Sequence, residues 1–227
     1  MKGILCKDVV QFLLELHHDR KFEIFTALEG VPKSKSMPSP YVMWLDDIDD
    51  DARDNEVHDK IRQLNDDGRG IWFTINSLLY GKRKVEFIES FNAIGLDLDS
   101  GKEGDDIDVI EKSKQTNLAN LLNLQLIPTV IVETKNGLQP MWFLISDEIT
   151  DNDEYKALQK MMQLKLGADP NAIGGERLYR LPGYHHNKDP MRPFLCKIIH
   201  ADYDKRYTMK ELAHKFGGQR KHKKLTK

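Results

Sequence analysis

The sequence predicts an α/β protein, more closely an α+β fold, and three observations support this fold class. Segments in which apolar residues alternate follow segments with helical spacing along most of the chain. The part from about residue 91 to 200 has the element order β-α-β-β-α-β, which is that of a split βαβ unit. The 227 residues, of which 40% are hydrophobic, are enough to bury a substantial core. We therefore expect one domain or two closely packed subdomains.

The first part of the chain, up to about residue 90, is predicted to form an α/β unit. Apolar residues from Val9 to Leu16 have helical spacing, and residues 21–28 alternate like a strand. Three prolines and three serines between residues 30 and 40 indicate a loop. A helix at 54–65 follows the acidic run at 46–51, where negative charge favours a helix N-terminus. A strand at 70–76 completes this part.

The second part of the chain has a clearer order of elements. The pair Asn136-Gly137 separates two strand-like segments and is the strongest short signal for a β-hairpin. The predicted elements are a strand at 92–99, a helix within 106–124, strands at 129–133 and 141–145, a helix at 153–166, and strands at 177–181 and 194–199. This order predicts a split βαβ sheet like that of an RRM.

Asp97 and Asp99 form an acidic pair at the end of an apolar stretch. On a strand, residues two apart share a face and lie about 6.5 Å apart, so both carboxylates can reach one cation. Ile94, Leu96 and Leu98 would then point into a core on the opposite face. Burying two like charges together is costly unless a cation offsets it, so the spacing favours a site for Mg²⁺ or Mn²⁺. An Asp-x-Asp at a strand end is also ordinary loop chemistry.

A second group of charged residues lies downstream. Asp169 is followed by Arg177 and Arg180, and then by a Pro-Gly turn, two histidines and Lys188. Arginine and lysine beside a carboxylate are the residue types that hold an anionic ligand next to a metal ion. Three carboxylates with such a basic cluster indicate phosphoryl or nucleotidyl transfer.

These segments together resemble a known family. The similarity lies in Asp97-Leu98-Asp99, the hairpin at 133–142, and the run from Arg180 to Lys188, with a further match at 64–76. It resembles the RepB-like branch of the archaeo-eukaryotic primase superfamily, the primase-polymerases of plasmids, phages and mobile elements. Many members of the wider superfamily have a histidine where this chain has Gln139, and the glutamine fits the RepB-like branch.

The resemblance implies a fold and a domain organisation. An N-terminal α/β unit at about 1–90 would pack on an RRM-like unit at about 91–200, with the active site in the cleft between them. Residues 1–200 would form the catalytic domain. Residues 201–227 would form a helix, begun by a capping box at Thr208 and Glu211, and a basic tail that is a possible linker.

The resemblance also implies the site residues and the reaction. Asp97, Asp99 and Asp169 would be catalytic and would hold two divalent cations, Mg²⁺ or Mn²⁺, for template-directed DNA synthesis by a primase or polymerase. The nucleotide-binding residues would be Thr134, Gln139, Arg180, His186, Asn187 and Lys188. Arg180 and Lys188 would hold the triphosphate. Asn76 is a weaker member of this set.

Charge and composition bear on the partners. Residues 177–227 carry 14 Lys or Arg against 4 Asp or Glu, although the whole chain has a net charge of −2. Such a basic region suits a polyanion, so we expect a single-stranded or primed DNA template, NTP or dNTP substrates, and a possible downstream helical domain or helicase. No apolar run approaches the roughly 20 residues of a membrane span, so we expect no membrane partner and a cytoplasmic location. The two cysteines indicate neither a zinc site nor a disulfide.

Other functions fit parts of the pattern. A phosphohydrolase of the haloacid dehalogenase type also has Asp-x-Asp after an apolar strand, but Gly101 stands at its next motif position. A glycosyltransferase would leave the run from Arg180 to Lys188 unexplained. The main alternative is a non-catalytic nucleic-acid-binding module, or a replication initiator, with an RRM-like fold. Such a module would bind DNA without needing the acids.

Overall fold

The computed structural model describes residues 7–17, 21–30, 39–44, 51–79, 82–102, 104–145 and 151–217. The helices are α1 (Lys7–Leu16), α2 (Asp51–Asp66), α3 (Ile107–Leu122), α4 (Asn152–Leu166) and α5 (Met209–Phe216), with a short 3-10 helix at Val85–Phe87. The strands are β1 (Lys21–Leu28), β2 (Ser39–Trp44), β3 (Arg69–Thr74), β4 (Ser77–Leu78), β5 (Ile88–Ser90), β6 (Ala93–Gly95), β7 (Leu98–Asp99), β8 (Val130–Glu133), β9 (Gly137–Phe143), β10 (Leu178–Arg180), β11 (His185–His186), β12 (Phe194–Leu195) and β13 (Lys197–Ala201). The mixed α+β fold class is confirmed.

The first sheet has the antiparallel order β10-β3-β1-β2. The predicted α1, β1, α2 and β3 are all present, with small shifts at their ends. Strand β2 was not predicted, and part of the predicted loop at 30–40 lies outside the described residues. The strand predicted at 177–181 was assigned to the second unit, and this assignment is wrong. It forms β10 and pairs with β3, so the downstream basic segment crosses back to the first sheet.

The second sheet has the order β13-β8-β9-β6, and β7 also pairs with β9. The predicted order β-α-β-β-α-β is confirmed, whereas the closer likeness to an RRM is not. Strand β9 begins at Gly137 and not at residue 141. The strand predicted at 92–99 is interrupted between β6 and β7. Pro140 lies in β9 beside the interruption and has no N–H to donate, although its carbonyl accepts the Leu96 N–H at 3.1 Å.

Two hydrophobic cores hold the layers together. The first lies between the two sheets and includes Phe12 and Leu13 of α1, Phe73 of β3 and Phe143 of β9. The second lies on the other face of the second sheet, where Trp142 packs with residues of α4 and α5. Since the first core takes residues from both sheets, it fixes the sheets relative to each other. The division of the catalytic domain near residue 90 remains a prediction.

The C-terminal helix α5 begins at the predicted cap. The Thr208 hydroxyl accepts the Glu211 N–H at 3.1 Å, and the Glu211 carboxylate accepts the Thr208 N–H at 2.8 Å. The basic tail after residue 217 lies outside the described part of the chain. No helix within the described residues has the length and apolar character needed to cross a bilayer.

Candidate active site

A cleft of about 660 Å³ is lined by residues from both sheets. The second sheet contributes Asp97 and Asp99 from the β6–β7 segment, and Thr134 and Gln139 from the hairpin of β8 and β9. The first sheet contributes Trp72 of β3 and Arg180 of β10. The cleft expected between the two units is therefore present, although β10 comes from the second half of the chain.

The acidic pair lies on the cleft face of its segment. Ile94, Leu96 and Leu98 are buried in the second core, as predicted, and Asp97 and Asp99 line the cleft. The hairpin approaches β7 so closely that a Cβ on Gly137 would lie 2.2 Å from the Leu98 carbonyl oxygen. Residue 137 can therefore pair with Asp99 at this distance only because glycine has no Cβ.

The environment of Asp97 disfavours its charged form. Burial and, to a lesser extent, the nearby Asp99 and Asp169 carboxylates together raise the pKa of Asp97 to about 6, although Gln139 and Arg177 act in the opposite direction. Burial also raises the pKa of Asp99, again with a contribution from Asp169. All three predicted acids therefore interact through their charges.

Asp169 is joined to the acidic pair through the backbone. Its N–H donates to the Asp97 carbonyl at 2.8 Å, at the interruption between β6 and β7. Its carboxylate accepts from the N–H and the side-chain amide of Asn171, at 2.9 and 3.1 Å. The loop after α4 is thereby fixed against the strand that carries Asp97 and Asp99.

The acids have the chemistry of a site for a hard divalent cation. A cation would relieve the repulsion that raises the pKa of Asp97, and carboxylate oxygens are the ligands that Mg²⁺ and Mn²⁺ prefer. Within the described residues, no three Asp, Glu, His or Cys side chains already lie close enough together to hold an ion. Two-metal binding by Asp97, Asp99 and Asp169 therefore remains a prediction.

Gln139 connects the acids to the first sheet. Its carbonyl oxygen accepts the Arg180 N–H at 3.0 Å, and its amide nitrogen lies 3.5 Å from a carboxylate oxygen of Asp97, a long contact. The side chain is buried, so it holds the Asp97 segment against β10. Thr134 is also buried at the cleft, and its hydroxyl donates to the Gly137 carbonyl at 3.1 Å.

Arg180 is held by a carboxylate that sequence reasoning did not identify. Its guanidinium pairs with Glu29 at 2.5 Å, and the two side chains are only 12% and 5% exposed. The guanidinium also lies over the Trp72 ring, 4.3 Å from the ring centre. Its Nη1 is buried without a hydrogen-bond partner in the described structure. No local pattern around Glu29 marks it, since it follows an ordinary strand.

His186 lies beside the same carboxylate. Its Nε2 is 3.5 Å from a Glu29 oxygen, and the ring is largely buried. Burial, together with the positive charges of Arg180, Lys135 and Lys188, lowers the pKa of His186 to about 3. The imidazole is therefore neutral near pH 7 and can donate or accept one hydrogen bond at the cleft.

Asn187 and Lys188 do not line this cleft. The Asn187 N–H donates to Glu29 at 2.7 Å, and its side-chain amide donates to the Asn65 carbonyl at 2.7 Å. These contacts hold the basic segment against the first unit. Lys188 is exposed and lines a neighbouring cavity. Nucleotide contacts by these two residues remain predictions.

Several other residues differ from the sequence-based interpretation. Arg177, which was not among the expected nucleotide-binding residues, lines the cleft near Asp97. Asn76 is fully buried and donates to the Gly175 carbonyl at 2.8 Å, so its amide serves the fold. Tyr184, in the loop after the Pro-Gly turn, lies in the first core. Trp72 lines the cleft, and its place in a predicted strand gave no signal of this position.

The fold is similar to those of solved primase structures. The AEP domain of the primase-polymerase of cyanophage S-2L superposes with a TM-score of 0.67 at 15% identity, over 94% of this chain and all of that one. The primase RepB′ gives a TM-score of 0.62 at 12% identity, over 93% of this chain and 62% of that one. Its catalytic domain in complex with initiator DNA gives 0.61 at 12% identity, over 93% of each chain. At these identities the likeness concerns the fold.

Sequence comparisons give a more specific result. A curated replication protein of Clostridium perfringens is 25% identical over 160 residues, which are 69% of this chain and 38% of that protein. The chain therefore spans well under half the length of that relative. The family described as the RepB DNA-primase N-terminal domain matches residues 105–223, just over half of the chain. The protein belongs to the RepB DNA-primase N-terminal domain family.

Proposed function

We propose that this chain catalyses template-directed nucleotidyl transfer, as a DNA primase or polymerase that uses two divalent cations. The observation that carries the proposal is the acidic cluster in the cleft. Two carboxylates line the cleft, and the charge of a third contributes to the raised pKa of both. Folding maintains this unfavourable arrangement next to Arg177 and Arg180. A divalent cation and an anionic substrate together would neutralise both sets of charges.

Each residue then has a role in holding the substrates. Asp97, Asp99 and Asp169 would hold Mg²⁺ or Mn²⁺, which activate a 3′-hydroxyl and neutralise charge on the leaving pyrophosphate. Arg180, which lines the cleft and is oriented by Glu29 and Trp72, would bind the triphosphate. His186 would contribute a neutral hydrogen bond, and Thr134 and Gln139 would contact phosphate or sugar. Positioning and electrostatics supply most of the catalysis in transfers of this kind.

The names of the relatives support the same biological setting. They include a phage primase-polymerase, a RepB′ primase whose catalytic domain was solved with initiator DNA, and a replication protein. We infer that this chain acts on single-stranded or primed DNA during replication of a plasmid, phage or other mobile element. NTPs or dNTPs would be its substrates.

Primer extension tests the proposal. The protein is incubated with a primed DNA template, labelled dNTPs or NTPs, and Mg²⁺ or Mn²⁺. We expect the wild type to extend the primer. The extension rate of Asp97→Asn should be lower by at least about a hundredfold, which is the scale of losing an essential charge-stabilising group. Asp204→Asn is the matched control, because Asp204 is exposed after β13 and does not line the cleft.

The outcome also separates the proposal from a non-catalytic DNA-binding module. A wild-type protein that binds DNA but incorporates no nucleotide with either metal contradicts nucleotidyl transfer. Extension by Asp97→Asn within tenfold of the wild-type rate would contradict the assignment of the acids.

A further inference from the structure

A second cavity, of about 510 Å³, adjoins the catalytic cleft. Asn136 and His186 line both cavities, so these two side chains stand where one opens toward the other. The second cavity lies between the start of α3, the turn of the β8–β9 hairpin and the loop from β11 to β12. Its volume falls in the range of about 300–1,000 Å³ that is typical of small-ligand sites. None of the roles proposed above accounts for it.

The walls of this cavity are apolar and include one aromatic ring. Ile107 and Ile110 of α3 lie on one side, and Phe194 of β12 lines the cavity as well. The Phe194 ring is supported by Lys114, whose ammonium lies 4.4 Å from the ring centre. Lys114 is itself buried and paired with Glu133 at 3.1 Å, so the support is fixed. A flat apolar ligand could pack against such walls.

The rim of the cavity is basic. Four cations stand around it, on three separate segments: Lys102, Lys135, Lys188 and Arg192. Three acids also line the cavity, so the excess of positive charge is one, and each acid has a partner. Glu111 pairs with Lys114 at 2.8 Å. The Asp105 carboxylate accepts the Lys102 N–H at 2.6 Å, and Asp189 pairs with Arg192 at 3.0 Å and with Lys135 at 3.5 Å. Apolar walls below a basic rim match a nucleic-acid base joined to a phosphate backbone.

We propose that this cavity binds one base of the single-stranded DNA template beside the catalytic cleft. The proposal rests on the proposed function and adds a second nucleotide position to it. The rim cations are spread over separate loops, an arrangement suited to successive backbone phosphates and not to one triphosphate. Because the cavity adjoins the cleft at Asn136 and His186, a strand with a base in the cavity could place a neighbouring nucleotide in the cleft.

The start of α3 offers a matched pair of variants. Ile107 and Val109 are 55% and 61% exposed, and only Ile107 lines the cavity. Both lie in the first turn, after the N-cap Asp106, where an added carboxylate favours the helix. Ile107→Asp therefore adds a negative charge to the cavity, and Val109→Asp adds the same charge to the same turn outside it. Thermal unfolding confirms that both variants fold.

The measurement is binding of single-stranded DNA containing 2-aminopurine, in EDTA, followed by fluorescence and anisotropy. We expect Ile107→Asp to weaken binding about tenfold and to remove the change in 2-aminopurine fluorescence, on the scale of one lost base stack. Val109→Asp should bind within about twofold of wild type. Equal DNA affinities for the two variants would overturn the proposal. So would a loss of free dNTP binding in Ile107→Asp with DNA binding unchanged, because the cavity would then hold the substrate base.

Failure of this inference can be told from failure of the proposed function. Primer extension by the wild type is measured in parallel with DNA binding. If the wild type extends primers and both variants bind DNA equally, only the base-binding cavity is wrong. If the two variants differ in DNA affinity as expected but the wild type never extends a primer, the base-binding cavity is supported and nucleotidyl transfer is wrong.

Discussion

Among the individual residues, Asp97 best shows how folding prepares the cleft for a cation. Its backbone is fixed by Asp169 and its side chain by Gln139, while its pKa rises to about 6 because it is buried beside Asp99. An unfolded chain would leave this carboxylate near its ordinary pKa of about 3.9. The native fold therefore binds a proton at this site more tightly than the unfolded chain does.

This difference predicts a pH-dependent gain in stability for Asp97→Asn. As pH rises from about 4 to 6, the unfolded chain loses the proton first, so ionisation of Asp97 increasingly disfavours the native state; above about 6 the cost is constant. Asn removes this cost. We expect about 1–3 kcal/mol of added stability near pH 8, and almost none near pH 4. Urea unfolding of both proteins at both pH values measures the difference in the free energy of unfolding. An equal difference at the two pH values would contradict the raised pKa of Asp97.

The raised pKa of Asp97 also predicts how the rate of primer extension falls at acidic pH. Activity should rise with pH up to about 6, as Asp97 loses its proton and becomes able to hold a cation. The limb should move to lower pH as Mn²⁺ is increased, because the metal competes with the proton. His186 is neutral throughout this range, since its pKa is about 3, so His186→Asn should lower activity without moving the limb. If the acid limb of the pH profile disappears in His186→Asn, the group that titrates is the histidine and not Asp97.

Variants of Arg180 and Glu29 can separate a role in nucleotide binding from a role in the stability of the fold. Arg180→Ala should cost about 3–5 kcal/mol of stability, because it leaves the buried Glu29 carboxylate without its main partner. Adding Glu29→Gln to this variant should recover much of that loss. Nucleotide affinity should stay about tenfold or more below wild type in both variants, the scale of a charged hydrogen bond. Recovery of affinity together with stability would show that Arg180 only supports the fold.

At the scale of secondary-structure elements, the hairpin of β8 and β9 organises the site. It carries Thr134 and Gln139, pairs with β7 beside the acids, and presents Pro140 at the point where β6 and β7 separate. This separation frees the Asp97 carbonyl to accept the Asp169 N–H. A backbone irregularity next to an active site is a common way to re-aim side chains.

Gly137→Ala tests this role of the hairpin. The added Cβ would meet the Leu98 carbonyl oxygen at 2.2 Å, so β7 must move away from β9. We expect a loss of about 1–3 kcal/mol of stability, as for other overpacking changes, together with a marked loss of extension. Unchanged activity in Gly137→Ala would mean that the acids do not depend on this close approach.

At the scale of the whole molecule, strand β10 joins the two units into one site. It belongs to the first sheet by pairing, yet it follows α4 in the chain and brings Arg177 and Arg180 to the cleft. The curated relative is much longer, since the matched region covers 38% of it. That relative therefore contains regions beyond the part that this chain matches.

This consideration leads to a prediction about initiation. Initiation requires two nucleotides and a template to be held without a primer, and the cleft described here has one set of candidate triphosphate ligands. We expect residues 1–227 to extend primers efficiently and to make little dinucleotide on an unprimed strand. Fusion to the downstream region of a longer relative should raise the dinucleotide yield. Equal efficiency of both reactions by the chain alone would show that a full initiation site is already present.

The local and periodic features of this protein could be predicted from its amino-acid sequence alone. The alternation from Ile94 to Asp99 predicted which side chains enter the core and which face the cleft, because successive strand residues point to opposite faces. Helix α5 followed from its capping box, and the hairpin followed from Asn136-Gly137. Such features depend on neighbours within a few residues, which the sequence displays directly.

The contacts between distant segments became visible only in the folded structure. The pairing of β10 with β3, the ion pair of Glu29 with Arg180 and the position of Trp72 over the cleft all join residues more than 100 positions apart. Burial of Asn76, which was expected to contact the nucleotide, likewise depends on how distant segments pack. Strand pairing and burial are set by the free energy of the whole fold, and a residue's own neighbours in sequence carry little of that information.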